Sequence, residues 1–141
     1  MATARHLGIA DAAFVAGADL TAKQYHFVKP GSVVGEVNLA TGGSDPAPIG
    51  VLQNSPSTGQ EARVRVFGFT KVYAVAVSGS PIRYGNYIGT NLTAEAIRII
   101  TVGGASAVTG RWLDETVDST ASRYGQALIF GGVNYNALSA S

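Results

Sequence analysis

Two histidines, one run of carboxylates and one arginine–phenylalanine alternation hold most of the reactive potential of this 141-residue sequence. His6 lies in MATARHLGIADAAFVAG with no nucleophile beside it, and His26 sits between Tyr25 and Phe27. Within a strand, that setting turns His26 toward solvent or a neighbouring chain rather than into the position of a general base. Neither histidine has a second ligand at zinc spacing, and there is no cysteine, so the residues offer no metal centre, no disulfide and no thiolate. Asp114, Glu115 and Asp118 in WLDETVDST form the densest carboxylate run. A calcium loop needs acids at alternate positions, a central glycine and a closing glutamate, and this order is missing. The run reads as a solvated loop between strands, and a β-fold hydrolase using Asp114 or Glu115 stands as a third reading because no partner pattern supports it. The glycine turns GGAS and SGSP do not open a helix after a strand with a lysine, so they make no phosphate cradle. Ser78 and Ser80 have only His6 or His26 as distant bases. The expectation is no catalytic residue, no metal and no cofactor.

The alternation in EARVRVFGFTKVYAVAV is more informative. Strand geometry puts Arg63, Arg65, Phe67 and Phe69 on one face, with Val64 and Val66 on the other. Cations and aromatics together can hold phosphates and stack bases on an oligonucleotide-binding barrel. Ten basic against nine acidic residues leave a net charge of +1, which lacks the basic excess of nucleic-acid binders. The same residue types are enriched in protein–protein interfaces, so this face is expected to meet another protein chain, with no nucleic acid.

The elements that carry these groups are short strands. Punctuation by Pro30-Gly31, TGGSDPAP, SPSTGQ, SGSP and GGAS separates QYHFVK, SVVGEVNLA, IGVLQN, the long Glu61–Val77 segment, PIRYGNYIGT, AIRIITV, AVTGRWLDE and YGQALIF. About eight to ten strands at this spacing predict an all-β chain, a small single-domain β-barrel or β-tulip-like sandwich. Gly68 is expected to mark a bulge or sharp bend between two strands, and TAEAIRII permits a helical turn. Residues 1–16 read as an extended N-terminal arm, with a short helix over Asp11–Val15 as the alternative; residues 17–130 form the barrel body and residues 131–141 a frayed tail. Arg5, His6, Leu7, Ile9 and Phe14 are the arm residues expected to grip a partner by adding a strand to its edge. In GADLTAKQ, Asp19 or Thr21 caps a turn that launches the body. Only 13% of residues are charged, against about 25% in ordinary soluble domains, so neighbouring chains are expected to cover much of the surface. No run approaches the roughly 20 apolar residues of a spanning helix, and no membrane partner is expected.

The order of blocks carries a resemblance. AGADLTAKQYHFVK (Ala16–Lys29) and PIGVLQNSPSTGQEARVRVFGFTKV (Pro48–Val72) resemble the "AG-x-DLS-x-KQY-F-VK" and "GVLQN-P-x-G-EA-V-V-G-x-TKV" blocks of the phage capsid decoration (cement) proteins of the DUF2190 type. Most of residues 16–130 is covered. The third block departs, with Tyr84-Gly85-Asn86-Tyr87-Ile88-Gly89 lacking the family's aspartate, and Trp112 replaces a small residue. The resemblance implies a homotrimeric, non-enzymatic virion protein, made in the host cytoplasm. It would sit on the capsid outer surface, bind the major capsid protein and stabilise the shell against internal DNA pressure. The alternative is a head-fibre or adhesin-type barrel that binds carbohydrate or a host surface through an aromatic platform of Tyr84, Tyr87 and Trp112.

Overall fold

The computed structural model describes residues 9–42, 47–77, 79–99, 107–118 and 123–134. Nine strands run through them: β1 Ala10–Ala16, β2 Phe27–Pro30, β3 Glu36–Leu39, β4 Gly50–Leu52, β5 Glu61–Ala74, β6 Tyr87–Thr90, β7 Ala96–Arg98, β8 Ala107–Trp112 and β9 Arg123–Asn134. There is no helix among the described residues, and the all-β barrel expected from the turn spacing is what the chain forms.

The pairings close two rings. In the first, β1 joins β3, β3 joins β2, β2 joins β4, β4 joins β5, and β5 returns to β1. In the second, β5 joins β7, followed by β6, β8 and β9, and β9 returns to β5. One strand therefore belongs to both. Its N-terminal half pairs with β1 from Val15↔Glu61 to Ala10↔Phe67, and its C-terminal half pairs with β9 from Gly68↔Ile129 to Ala74↔Arg123. Gly68, at φ +116°, stands where the partners change. The bend read from the sequence is present, but within one 14-residue strand rather than between two.

Each ring has its own core, and strand alternation explains the division. Val28 and Leu52 join Ala16, Leu20, Val37, Ala62 and Val64 in the first. Their neighbours Phe27 and Val51 point the other way, into a second core with Val72, Ile82, Ile88, Trp112 and Ile129. Strands β2 and β4 are thus buried on both faces, each fully buried side chain contributing about 1.5–3 kcal/mol relative to exposure. Trp112 is the largest of them. Its indole donates from Nε1 to the Glu115 carbonyl at 2.8 Å and lies where any Cβ on Gly125 would project. Only glycine on β9 leaves room for it.

Four local expectations need correction. Residues 10–16 are not a free arm: they form β1, which closes the first ring by exchanging backbone hydrogen bonds with β5 and β3. That also removes the alternative helix over Asp11–Val15. At the other end, β9 continues through Asn134, past the tail boundary at 131. QYHFVK becomes extended only at Phe27, because Tyr25 adopts φ +69° and folds Gln24–His26 into a turn. The segment read as a possible helical turn holds strand β7, whose Ala96 pairs with Ala74 and Thr90. The GADLTAKQ turn is as expected: Asp19 Oδ1 accepts from the Thr21 amide at 3.1 Å and its hydroxyl at 2.8 Å, while Leu20 is buried.

Candidate functional site

Residue positions on β5 give the outer face its character. Arg63, Phe67 and Phe69 are exposed on the face opposite the buried Ala62 and Val64. Arg65 shares that face but is fully engaged by its own chain. Its Nε donates to Asp11 Oδ1 at 2.7 Å, Nη2 to Asp11 Oδ2 at 3.1 Å, and Nη1 to the Phe69 carbonyl at 2.8 Å. The planar fork thereby clamps β1 to β5 and spans the bend at Gly68. Hydrogen bonding to Arg65 is the main reason the Asp11 carboxyl titrates below its ordinary range. Arg65 thus serves the barrel, while Arg63 is exposed and adds only a weaker coulombic pull on Asp11.

Cross-strand register extends the exposed band beyond β5. Phe69 stands opposite Leu128 of β9, Leu128 opposite Arg111 of β8, and Arg111 opposite Tyr87 of β6. Residues directly opposite one another share a face. The Arg111 guanidinium lies 4.6 Å from the Tyr87 ring centroid, and its Nη2 donates to the Tyr87 hydroxyl at 2.8 Å. Phenylalanine, tyrosine and arginine therefore line one continuous strip around the second ring. The sequence indicated its β5 segment; the remainder depends on which strands pair and was not visible in any local motif.

The other predicted residues are scattered. Arg5, His6 and Leu7 lie outside the described residues. Ile9 is exposed just before β1, while Phe14, expected as an arm anchor, is half-buried against the first core. Of the proposed aromatic platform, Tyr84 and Tyr87 are exposed but Trp112 is wholly enclosed, so the three do not form one surface. His26 also departs from expectation: it is buried, with its ring 5.0 Å from that of Tyr73 and Nδ1 3.3 Å from the Gln24 carbonyl. Loss of solvation lowers its pKa and keeps the imidazole neutral.

The acidic run forms a turn. Asp114 accepts the Glu115 amide at Oδ1 and the Gln126 amide at Oδ2, and these bonds hold its pKa below the usual carboxylate value. Glu115 and Asp118 point to solvent. Among the described residues, no group of three or more His, Cys, Asp or Glu side chains is arranged to hold a metal.

An aromatic cluster went unread in the sequence. Tyr124 packs edge-on against Tyr25 at 5.8 Å and lies 4.7 Å from Tyr73, with the Lys71 ammonium 5.4 Å from the Tyr25 ring. The members are about fifty residues apart, and the Tyr73↔Tyr124 register, with the Tyr73 amide donating to the Tyr25 carbonyl at 3.0 Å, brings them together.

No family model and no curated protein sequence matches the chain. Among solved structures, the chain is similar to the head fiber gp8.5 N base of bacteriophage phi29. The two superpose with a TM-score of 0.57 at 16% identity, over 89% of this chain and 98% of that one.

Proposed function

We propose that this chain is a structural protein of a phage head, a decoration protein that attaches to the outer surface of the shell and has no enzymatic activity. The observation that carries the reading is the fold shared with a head fiber base over nearly the whole of both chains. The block resemblance of Ala16–Lys29 and Pro48–Val72 to capsid decoration proteins points to the same location on independent grounds. In this reading the chain is a homotrimer bound to the major capsid protein. The strip from Arg63, Phe67 and Phe69 to Arg111 and Tyr87 supplies the contact chemistry, aromatic and guanidinium groups being the side chains that dominate interface energetics. Three equivalent contacts give an effective concentration in about the millimolar range for the second and third, so modest single-site affinity suffices.

The test is addition of the purified protein to undecorated heads, followed by heating. Bound protein that raises the temperature of DNA release supports a cement role, and a solution mass of three chains supports the trimer. The neighbour's identity as a head fiber base favours one second reading, in which this barrel anchors an appendage. Binding to heads without any gain in their heat resistance selects that reading, and absence of binding rejects both.

A further inference from the structure

A depression opens beside the aromatic cluster, on the outer β5–β9 wall of the second ring. Its volume is about 480 Å³, and Thr70, Lys71, Asp114, Tyr124, Gly125 and Gln126 line it. That size suits a small molecule. Its lining is mixed, with polar and apolar surface in near-equal measure: Thr70, Lys71, Asp114, Gln126 and the Gly125 backbone surround the phenol ring of Tyr124.

Asp114, Thr70 and Tyr124 are held in place before any ligand arrives. Asp114 is pinned by the two backbone amides of Glu115 and Gln126, at 2.8 and 2.9 Å. A carboxylate has about four lone-pair sites, so roughly two stay open for other donors. Thr70 is buried, accepting from Gln53 Nε2 at 2.8 Å and donating to the Lys71 carbonyl at 3.0 Å. Tyr124 is braced by Tyr25 and Tyr73 while remaining 50% exposed. Among the described residues, the Lys71 ammonium meets only the face of Tyr25. Gly125 offers only backbone to the depression, because the position of its Cβ lies on the opposite, core side, against the buried Trp112 ring.

We propose that this depression is a saccharide-binding site, with Tyr124 as the stacking surface and Lys71, Asp114 and Gln126 as the hydroxyl partners. A sugar ring offers an apolar C–H face to a phenol and paired hydroxyls that satisfy a carboxylate and an ammonium together. A nucleic acid would bring phosphate against the fixed negative charge of Asp114, and a peptide anchor would find no apolar side chain other than Tyr124. Prior fixing of the walls reduces the ordering cost of binding, which is what weakly held surface sugars need. Neither head attachment nor the trimer is required for this site to operate, so its failure and theirs are seen in separate experiments.

The test applies the full chain to an array of mono- and oligosaccharides, then titrates the strongest-binding saccharide calorimetrically into the parent protein and its variants. The expected result is a saccharide whose affinity falls at least five-fold in Tyr124→Ala and in Lys71→Met and is unchanged in Tyr84→Ala, whose exposed ring lies outside the depression. Should Tyr124→Ala lose its near-UV circular dichroism, Lys71→Met and Gln126→Ala decide in its place. An array with no saccharide above the signal of unfolded protein overturns the assignment, as does any other pattern among the variants.

Discussion

Gly125→Ala tests the packing on which the second ring depends. A methyl at this position would fall inside the contact radii of Trp112 Cη2 and Cζ2 and 3.2 Å from Cζ3. The indole has nowhere to retreat, because it is fully buried and tethered through Nε1 to the Glu115 carbonyl. Nor can β9 move away freely, since Gly125 is registered with Val72 of β5. Overpacking of this kind costs about 1–3 kcal/mol, and loss of the indole hydrogen bond about 0.5–1.5 kcal/mol more, giving about 1.5–4.5 kcal/mol together. At about 2.1 cal/mol/K of unfolding entropy per residue, a chain of 141 residues loses about 3 °C of Tm per kcal/mol. The expected drop is therefore about 5–14 °C. Trp112 is the sole tryptophan, so its emission reports directly on whether the ring has been driven toward solvent. In a double-mutant cycle, Trp112→Leu should relieve the clash and recover at least about 1 kcal/mol relative to additivity. A Gly125→Ala protein within about 0.5 kcal/mol of the parent, or strictly additive losses in the cycle, would refute this account of the core.

Deleting residues 2–8 should leave the barrel folded, whereas deleting 2–14 removes most of β1 and should abolish the cooperative melt; circular dichroism on both truncations checks this. Asp11→Asn breaks the Arg65 clamp and is expected to cost about 0.2–1 kcal/mol, the range for partly exposed ion pairs, with faster hydrogen exchange concentrated in β1. Because the Asp11 pKa lies below its ordinary 3.8 in the folded chain, its contribution is complete above that value and lost as pH falls through the folded-state pKa; Asp11→Asn should flatten the acid limb of a Tm–pH series. His26 has the same sign for a different reason. Burial depresses its pKa below 6.5, so the unfolded chain takes up its proton first and stability falls as the pH drops from 6.5 toward the folded-state value. The His26 resonance should titrate below 6.5, and His26→Phe should remove that slope.

What the sequence disclosed was local. Turn residues separated the strands, and the alternation in Glu61–Ala74 identified both its buried side and its arginine–phenylalanine side. The misreadings arose where neighbours distant in sequence decide. Ala10–Ala16 has too little β-branched content to declare a strand, and it becomes one because β5 and β3 offer open edges on either side. Flanking residues made His26 look surface-exposed, but a positive φ at Tyr25 turns it under Tyr73. Trp112 looked like a platform residue until Gly125, thirteen positions later, was seen to make room for it. The aromatic cluster depends on Tyr25, Tyr73 and Tyr124 meeting across strands, and no spacing rule in one dimension encodes that.

The sharing of β5 between two rings sets the order in which the chain can acquire structure during synthesis. The first ring cannot close until Phe67 has emerged to meet Ala10, although β1 was made long before. The second waits for β9, which supplies the partners of both β5 and β8. Until then the growing chain exposes unpaired strand edges, and the pairings that would cover them span long stretches of sequence, a condition that slows folding and invites association between nascent chains. Completion of the barrel is therefore an event that follows translation of Arg123–Asn134, and a ribosome stalled before that segment would hold a chain with its second ring still open.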